Sequence, residues 1–371
     1  MKFIKIPAFA IVLLLLMQIA SKAFIAIDSS DIENIYGFYA EPKNSLDMVM
    51  IGPSEVYTGY APALAWEEYG LKSCNLSIGA VACNMYKSIV TEITKKQKPK
   101  LLVISAAAFS QGNWNLTDEV YLRKWIDNMP MSQNKLDTVK TIPKNINKDD
   151  EKVKDNISDT LYFPLEKYHG NWKDPEAVYT SFVTRAYMRL SGGGYLKGFY
   201  SKTGITGGRD NLANIGQPTK EAYVLTDECR AYLKELLSYC NKLGIEHVLL
   251  LQPPHETQAA DKSGLEQIES ITKEYGYDFL DLSTDYESIA GIDDSHDFAD
   301  FEHLNAYGAK KLTAYIGDMA VNQYGIKSDT AKSELSRWKK SVKRTKKALK
   351  MAREYTDRGE AQVVGEYEAA K

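Results

Sequence analysis

Five short apolar segments, separated by stretches of helical character, constrain the possible folds of this chain most strongly. They cover residues 46–52, 73–77, 101–105, 247–251 and 278–281. Apolar runs of this length that end in Gly or a polar residue are typical of strands buried on both faces of a parallel sheet. Residues 226–244 show the complementary pattern, an apolar stripe at helical spacing that begins after Thr226 and ends at Gly244. The alternation predicts a doubly wound α/β domain, with functional residues after the carboxyl ends of the strands.

The regular alternation is interrupted by residues 112–217, which are rich in Asn, Lys, Asp and aromatic residues. A structureless loop of this length is improbable in a compact domain. We therefore predict a helical insertion or cap, with mobile parts, inside an α/β domain that covers residues 46–326.

The first 27 residues have the pattern of a membrane anchor or a signal segment. Lys2 and Lys5 precede an apolar run that, with a second apolar patch, reaches about 22 residues, enough to cross a bilayer. Positive charge before the run predicts an N-terminus in the cytoplasm and the rest of the chain outside. Residues 21–23 also suit signal cleavage, which would give a secreted protein. We favour the uncleaved anchor, followed by a polar linker over residues 28–45.

A basic helical tail is predicted over residues 327–371. Nine Lys and Arg residues occur between Glu334 and Glu354 without an intervening acid, and a thin apolar stripe includes Trp338, Val342, Leu349 and Ala352. Two interpretations fit this pattern: a basic amphipathic helix on an anionic membrane or polymer, or a solvated helix packed on the domain by Trp338. We favour the second.

Composition and charge argue against several classes of function. The net charge of −3 disfavours a nucleic-acid partner for the whole chain. The sequence has no Gly-rich phosphate loop with a following Lys, which disfavours nucleotide use. The four cysteines lack metal-ligand spacing, and we expect neither a metal nor another cofactor. They are interpreted as small buried residues whose disulfide state stays open: Cys74, Cys83, Cys229 and Cys240.

Two polar segments at opposite ends of the α/β pattern carry the residue types of a nucleophile and its base. Ser54 follows the first strand in a Gly-Pro-Ser turn, whereas Asp300 and His303 follow the fifth strand, just before a helix capped by Asn305. A His whose second ring nitrogen meets a carboxylate has a fixed tautomer and can take a proton from a serine hydroxyl. We therefore predict a Ser54 nucleophile, a His303 base oriented by Asp300, and a hydrogen bond between Ser54 and His303.

Other residues on the same rim of the predicted sheet have supporting roles. The backbone N–H groups of Ser54 and of Gly79, which follows the second strand, are predicted to stabilise an oxyanion, since glycine lets main chain approach a ligand closely. His255 follows the fourth strand and is a candidate substrate contact. An incidental loop histidine is an equally good interpretation of His255.

These segments resemble the SGNH (GDSL-type) hydrolases, in particular membrane-anchored members of that family. The resemblance rests on Gly52-Pro53-Ser54, Gly79 and Asp300-x-x-His303, and it covers residues 46–325 apart from the insertion. A more distant similarity is to the D-alanyl transfer protein of teichoic acid synthesis. The family resemblance implies a flavodoxin-like three-layer sandwich whose five-stranded parallel sheet has the order 2-1-3-4-5. It also implies metal-free acyl chemistry, with Ser54 as nucleophile and oxyanion donor, Gly79 as second donor, and Asp300 and His303 completing a catalytic triad.

The sequence departs from the family pattern at two places. Pro53 replaces the usual middle residue of the first block and removes one backbone donor. The third block normally supplies an Asn after strand three, but residues 105–111 contain none. Ser105, Gln111 and Asn113 are the candidates to replace it at the substrate. A weakened oxyanion hole suits a specialised acyltransferase, or a domain that has lost turnover, better than simple hydrolysis.

The predicted function is that of an extracytoplasmic serine-dependent esterase or O-acyltransferase that acts on acyl esters, above all acetyl esters, of cell-envelope carbohydrate. Two alternatives stay open: a glycan-binding module that has lost turnover, or an accessory protein of a membrane-bound acyltransferase that acts through the anchor and the basic tail. The expected partners are a cell-surface glycan, the membrane and, in the last case, the acyltransferase.

Overall fold

The computed structural model describes residues 29–142, 157–208, 222–255 and 261–370, and, of the N-terminal segment, 7–9, 12–13, 16–18, 21–22 and 24–25. Most of the predicted membrane anchor therefore lies outside the described residues. Within them, no helix combines the length and apolar character needed to cross a bilayer. The anchor stays a prediction.

Five parallel strands form the central sheet: β1 (Met48–Gly52), β2 (Ser73–Ser77), β3 (Leu101–Ser105), β4 (His247–Gln252) and β5 (Asp278–Asp281). Their order across the sheet is β2-β1-β3-β4-β5, which confirms the predicted five-stranded parallel sheet. Met48 lies beside Ser73 on one side and beside Leu101 on the other. The direction of winding changes between β1 and β3, and open α/β sheets bind ligands outside the carboxyl ends of the strands at such a point.

Helices connect and cover the strands. In chain order they are α1 (Ser29–Ala40), α2 (Ser54–Gly59), α3 (Pro62–Tyr69), α4 (Tyr86–Lys96), α5 (Ala107–Ser110), α6 (Glu119–Ile126), α7 (Gln133–Lys140), α8 (Ile157–Tyr162), α9 (Pro164–Tyr168), α10 (Pro175–Leu190), α11 (Asp227–Leu243), α12 (Ser263–Glu274), α13 (Tyr286–Ala290), α14 (Ala306–Asn322), α15 (Lys332–Asp357) and α16 (Glu366–Ala370). Short 3-10 helices are formed by Cys83–Met85 and His169–Lys173.

In the part of the chain that the structure describes, two short antiparallel ribbons lie outside the central sheet. In the C-terminal ribbon, Ser201–Lys202 pairs with Val363–Val364. In the site ribbon, Phe298–Asp300 pairs with His303–Leu304. The C-terminal ribbon therefore joins residues near the end of the chain to the segment before α11, which is distant in sequence.

Apolar side chains on both faces of the sheet hold the helices in place. In β1, Val49 and Ile51 point to one face while Met48 and Met50 point to the other, as alternation along a strand requires. The first face packs against helices that include α4 and α11, and the second against α2 and α14. All five residues of β1 are buried, which accounts for the continuous apolar run in the sequence. Helices therefore cover both sides of the sheet.

Residues 28–45, predicted as a polar linker, instead contain the core helix α1. Three of its apolar side chains are at most 1% exposed, namely Ile32, Ile35 and Phe38. The linker prediction is wrong because the acidic residues of this helix, Asp31 and Glu33, do not face solvent. The Asp31 carboxylate, for example, is 1% exposed and lies 3.2 Å from the Lys124 ammonium, and a buried charge with such a partner is tolerated in a core.

The predicted insertion contains helices α6 to α10. Apolar side chains of this region join the core on the α4 face, among them Leu122, Trp125, Ile126 and Met188. The buried Arg123 is paired with two carboxylates, since it lies 2.5 Å from Glu119 and 3.2 Å from Asp127. These contacts pack α6 and α10 onto the domain. Residues 143–156 and 209–217 of the insertion, on which part of its predicted mobility falls, lie outside the described residues.

The C-terminal helix α15 packs on the domain through its apolar stripe. Trp338 is 4% exposed, and its ring stacks on Trp66 with the centroids 5.5 Å apart. The Lys197 ammonium lies 4.8 Å from the centroid of the Trp338 ring. The opposite face carries exposed lysines: Lys339, Lys340, Lys343, Lys346, Lys347 and Lys350. The helix thus has the favoured packing through Trp338, and contact of its lysine face with a membrane or polymer stays a prediction.

The four cysteines are buried and carry free thiols. Cys83 and Cys229 nevertheless lie close together, with their sulfur atoms 3.6 Å apart. The hydrogen bond from Cys83 lowers the pKa of the Cys229 thiol to about 7, whereas burial raises the pKa of Cys83. Cys229 is therefore the more readily ionised thiol and the better nucleophile toward a disulfide reagent.

Oxidised glutathione, added at a low urea concentration at which local opening makes the buried thiols accessible, should convert this pair into a disulfide. The Cys229 thiolate attacks the reagent and releases one glutathione, and Cys83 then displaces the second, so the protein loses two thiols while the reagent is reduced. Because the bond closes a long loop, we expect the Tm to rise by about 4–8 °C. Non-reducing peptide mapping identifies the bridge. It should survive Cys74→Ser and be lost in Cys83→Ser, and four free thiols after oxidation of the wild type would contradict the prediction.

Candidate active site

Ser54 lies at the point where β1 ends and α2 begins. Gly52 precedes it, and a Cβ on Gly52 would come within 2.5 Å of both the Ser105 Cβ and the Val56 Cγ2, so only glycine fits. The Gly52 carbonyl accepts a hydrogen bond from the Ser77 hydroxyl at 2.7 Å. The end of β2 therefore supports the turn that presents the partly exposed Ser54 at the carboxyl edge of the sheet.

The other side of the site is the loop between the two strands of the site ribbon. Asp300 Oδ1 accepts hydrogen bonds from the N–H groups of Glu302 (3.1 Å) and His303 (3.0 Å), which closes a tight turn. Asn305 then caps α14 by accepting from the N–H of Tyr307 at 2.9 Å, as predicted. His303 is 8% exposed and is held between the closed turn and the helix.

The three side chains predicted as a triad form one chain of hydrogen bonds. His303 Nε2 lies 2.7 Å from Ser54 Oγ, and His303 Nδ1 lies 2.7 Å from Asp300 Oδ1. A carboxylate can only accept, so we assign the ring proton to Nδ1. Nε2 is then left to accept the Ser54 hydroxyl proton. This is the geometry in which an imidazole can act as general base toward a serine.

Asp300 is ionised in this arrangement. Partial burial alone would raise its pKa, but the hydrogen bonds and charges of His303 and Lys202 outweigh burial and hold the pKa well below its usual range. A carboxylate that stays charged keeps the Nδ1 proton in place. It also stabilises the imidazolium that forms when His303 takes a second proton.

Lys202 is a member of the site that sequence reasoning missed. Its ammonium is hydrogen-bonded to Asp300 Oδ2 and lies 3.2 Å from His303 Nδ1. The residue belongs to the C-terminal ribbon and lies 98 positions before Asp300. A single lysine in a polar insertion carries no pattern that distinguishes it from solvated lysines, so the sequence contains no signal for this contact.

Gly79 does not present the free oxyanion donor that was predicted. Its N–H donates to Asp31 Oδ1 at 2.7 Å. The Lys124 ammonium lies 3.1 Å from the position of a Cβ on Gly79 and pairs with Asp31. Helix α1 brings Asp31 to the end of β2, where its carboxylate accepts from the N–H that was predicted to face an oxyanion. Ser54, the other predicted donor, is the first residue of α2, so its N–H has no acceptor within that helix.

The candidate substrate-binding residues are not all brought to the triad. Gln111 forms a bridge with Val224. Asn113 donates to Glu228 at 3.0 Å and also contacts Thr226, at the start of α11, so its described bonds are to α11 and not to triad residues. Neither arrangement supplies the missing Asn of the third block.

His255 and Ser105 lie closer to the predicted chemistry. The His255 ring packs against Phe301, the residue after Asp300, with the centroids 5.7 Å apart. Ser105 ends β3 and its hydroxyl lies 3.4 Å from Glu55 Oε1, beside Ser54 in sequence. Each residue therefore contacts a sequence neighbour of a triad residue.

Comparison with protein-family models, with curated proteins and with solved structures gave no match for this chain. Among the described residues, no group of three or more His, Cys, Asp or Glu side chains is placed to hold a metal ion.

Proposed function

We propose that this protein is a serine-dependent esterase or O-acyltransferase of the SGNH type. The observation that carries the proposal is the pair of 2.7 Å hydrogen bonds that links Ser54, His303 and Asp300. Ser54 and His303 are 249 positions apart in the chain. A short, aligned contact between a serine and a carboxylate-bound imidazole on the ligand-binding edge of an α/β sheet is the arrangement that activates a serine nucleophile.

The proposed reaction has two half-reactions. Ser54 Oγ attacks the carbonyl carbon of an acyl ester while its proton passes to His303 Nε2. The tetrahedral intermediate collapses, its bond to the leaving alcohol breaks, and His303 returns the proton to that alcohol. Water or a sugar hydroxyl then attacks the acyl-Ser54 by the reverse sequence, and exclusion of water from the pocket decides between hydrolysis and transfer.

The proposed substrates are acyl esters, above all acetyl esters, of cell-envelope carbohydrate. Two features support this class of substrate. The apolar N-terminal segment with its preceding lysines predicts a domain outside the membrane. The insertion also exposes large aromatic side chains, whose flat faces suit contact with sugar rings: Trp114, Phe163, Trp172, Tyr179 and Phe182.

A fluorophosphonate probe tests the chemistry directly, because it reacts only with an activated serine. We expect one label per chain, mapped by peptide mass spectrometry to Ser54, and release of acetate from O-acetylated polysaccharide. Ser263→Ala serves as the matched control, since Ser263 also begins a helix, α12, and its described hydrogen bonds are with Asp261 and Gln267 and not with the triad. Wild-type protein that stays unlabelled across neutral pH would count decisively against the proposal.

One observation favours the second candidate, a glycan-binding module or acyltransferase accessory protein without turnover. The Gly79 N–H is bonded to Asp31, which leaves the oxyanion hole one backbone donor short. This candidate predicts glycan binding that is unchanged by Ser54→Ala, together with no release of acyl groups. A rate of acetate release that depends on Ser54 would exclude it.

A further inference from the structure

Lys202 occupies a place in the site that neither a hydrolase triad nor an oxyanion hole requires. Its ammonium bonds to the Asp300 oxygen that His303 does not use, Oδ2, while Oδ1 receives the imidazole. The same ammonium lies 3.2 Å from His303 Nδ1. With the ring proton on Nδ1, this second contact joins two donors and is not a hydrogen bond. It brings a positive charge close to the ring.

The backbone around Lys202 is held from two sides. On one side, the C-terminal ribbon pairs Lys202 with Val363, and the Thr203 N–H donates to the Gln362 carbonyl at 3.1 Å. On the other side, Asn305 Nδ2 donates to the Gly204 carbonyl at 3.0 Å. The lysine is therefore fixed between the end of the chain and the residue that caps α14.

The charges around His303 act in opposite directions. Asp300 stabilises the imidazolium, and Glu302, whose Oε1 is 4.0 Å from Nδ1, does so more weakly. Lys202 opposes the imidazolium and neutralises part of the Asp300 charge. His255, across Phe301, is a further titratable side chain beside this loop. At a distance of 3–4 Å, a unit charge acts strongly on the ring even in a partly solvated site.

We propose that Lys202 is a positioning residue of this site, which fixes the Asp300 carboxylate and extends to lower pH the range in which His303 can take the Ser54 proton. The role of Lys202 in turnover rests on the proposed function, whereas its effect on the protonation of His303 does not depend on that function. The carboxylate, held by Lys202 at one oxygen and by the turn at the other, has one orientation toward the ring.

The test combines a ring titration with a rate. In protein labelled with ¹³C in the His ring, the His303 signal is assigned by its absence in His303→Gln and followed against pH by NMR. Removing the positive charge in Lys202→Met stabilises the imidazolium, so we expect the midpoint of the titration to rise by about one pH unit. The acidic limb of the fluorophosphonate labelling profile should move by the same amount, and Lys202→Arg should restore both.

Lys262→Met is the matched control. Lys262 pairs with Asp281 at 3.2 Å with a side-chain exposure of 30%, close to the 31% of Lys202, and its described bonds are with Asp281 and Thr284 and not with a triad residue. Lys262→Met should leave unchanged both the midpoint of the His303 titration and the midpoint of the acidic limb of labelling. A His303 midpoint in Lys202→Met equal to that of the wild type would overturn the inference. Absence of labelling in the wild type would instead reject the proposed function, and the NMR titration would still decide the effect of Lys202.

Discussion

Replacing Asp300 with asparagine should lower the rate of Ser54 acylation by about 10⁴-fold, the size of effect seen when a triad carboxylate becomes an amide. The amide has no negative charge to stabilise the imidazolium. It also has only one accepting oxygen, whereas Asp300 accepts from Lys202 at Oδ2 and from the imidazole and two backbone N–H groups at Oδ1. Either the Lys202 ammonium or the imidazole and backbone N–H groups must then face the amide NH₂, which cannot accept their hydrogen bonds. The Nδ1 proton of His303 is then no longer held in place. The measurement is the second-order rate constant of fluorophosphonate labelling at neutral pH.

Two further variants define the scale of that loss. Ser54→Ala removes the labelled atom and sets the floor, and the double variant with Asp300→Asn should be no slower in acetate release, since members of a triad act as a unit. Glu302→Gln is the matched control, because its carboxylate lies 4.0 Å from Nδ1 without a short bond to it. We expect less than about threefold change there. An Asp300→Asn enzyme that keeps a tenth of the wild-type rate would show that His303 does not depend on this carboxylate.

The central sheet could be predicted from sequence because its strands are buried on both faces. A short, continuous apolar run such as Leu101–Ser105 is characteristic of a strand covered on both sides. The order of the five parallel strands was implied by the family resemblance alone. Helix α1 could not be predicted in the same way. Its acids Asp31 and Glu33 resemble a solvated linker, and only the tertiary contacts show that they are buried, with Glu33 bonded to the Tyr200 hydroxyl.

The site also combines residues that local sequence patterns reveal with residues that only tertiary contacts reveal. Ser54 and His303 each follow a strand and precede a helix, so local patterns place both on the same edge of the sheet. Lys202 and Asp31 have no such local pattern, and their contacts with Asp300 and with the Gly79 N–H depend on segments that meet only in the folded chain. A glycine after a strand indicates that backbone can come close to a ligand. It does not indicate which acceptor its N–H will meet.

The buried ion pair between Glu41 and Lys197 gives the prediction with the largest effect on stability. Glu41 and Lys197 are 2% and 1% exposed at the side chain, and Glu41 Oε1 lies 2.7 Å from the Lys197 ammonium and 3.0 Å from Arg337 of α15. Glu41→Gln keeps the shape of the side chain but leaves a buried ammonium without its counter-charge. We expect the free energy of unfolding to fall by about 3–5 kcal/mol at pH 7, measured by urea denaturation.

The dependence of this loss on pH separates charge from packing. Burial lowers the pKa of Lys197, and Glu41 opposes that shift, so removing the carboxylate lowers the pKa further. Between the lowered pKa and the usual lysine value the unfolded chain binds more protons, so stability rises with pH in that window. The loss of unfolding free energy in Glu41→Gln should therefore shrink between pH 7 and pH 10. The control is Glu269→Gln, which breaks the exposed pair with Lys273 and should not change the midpoint of urea denaturation at either pH. A defect of constant size would mean that shape at Glu41, and not its charge, holds the end of the chain in place.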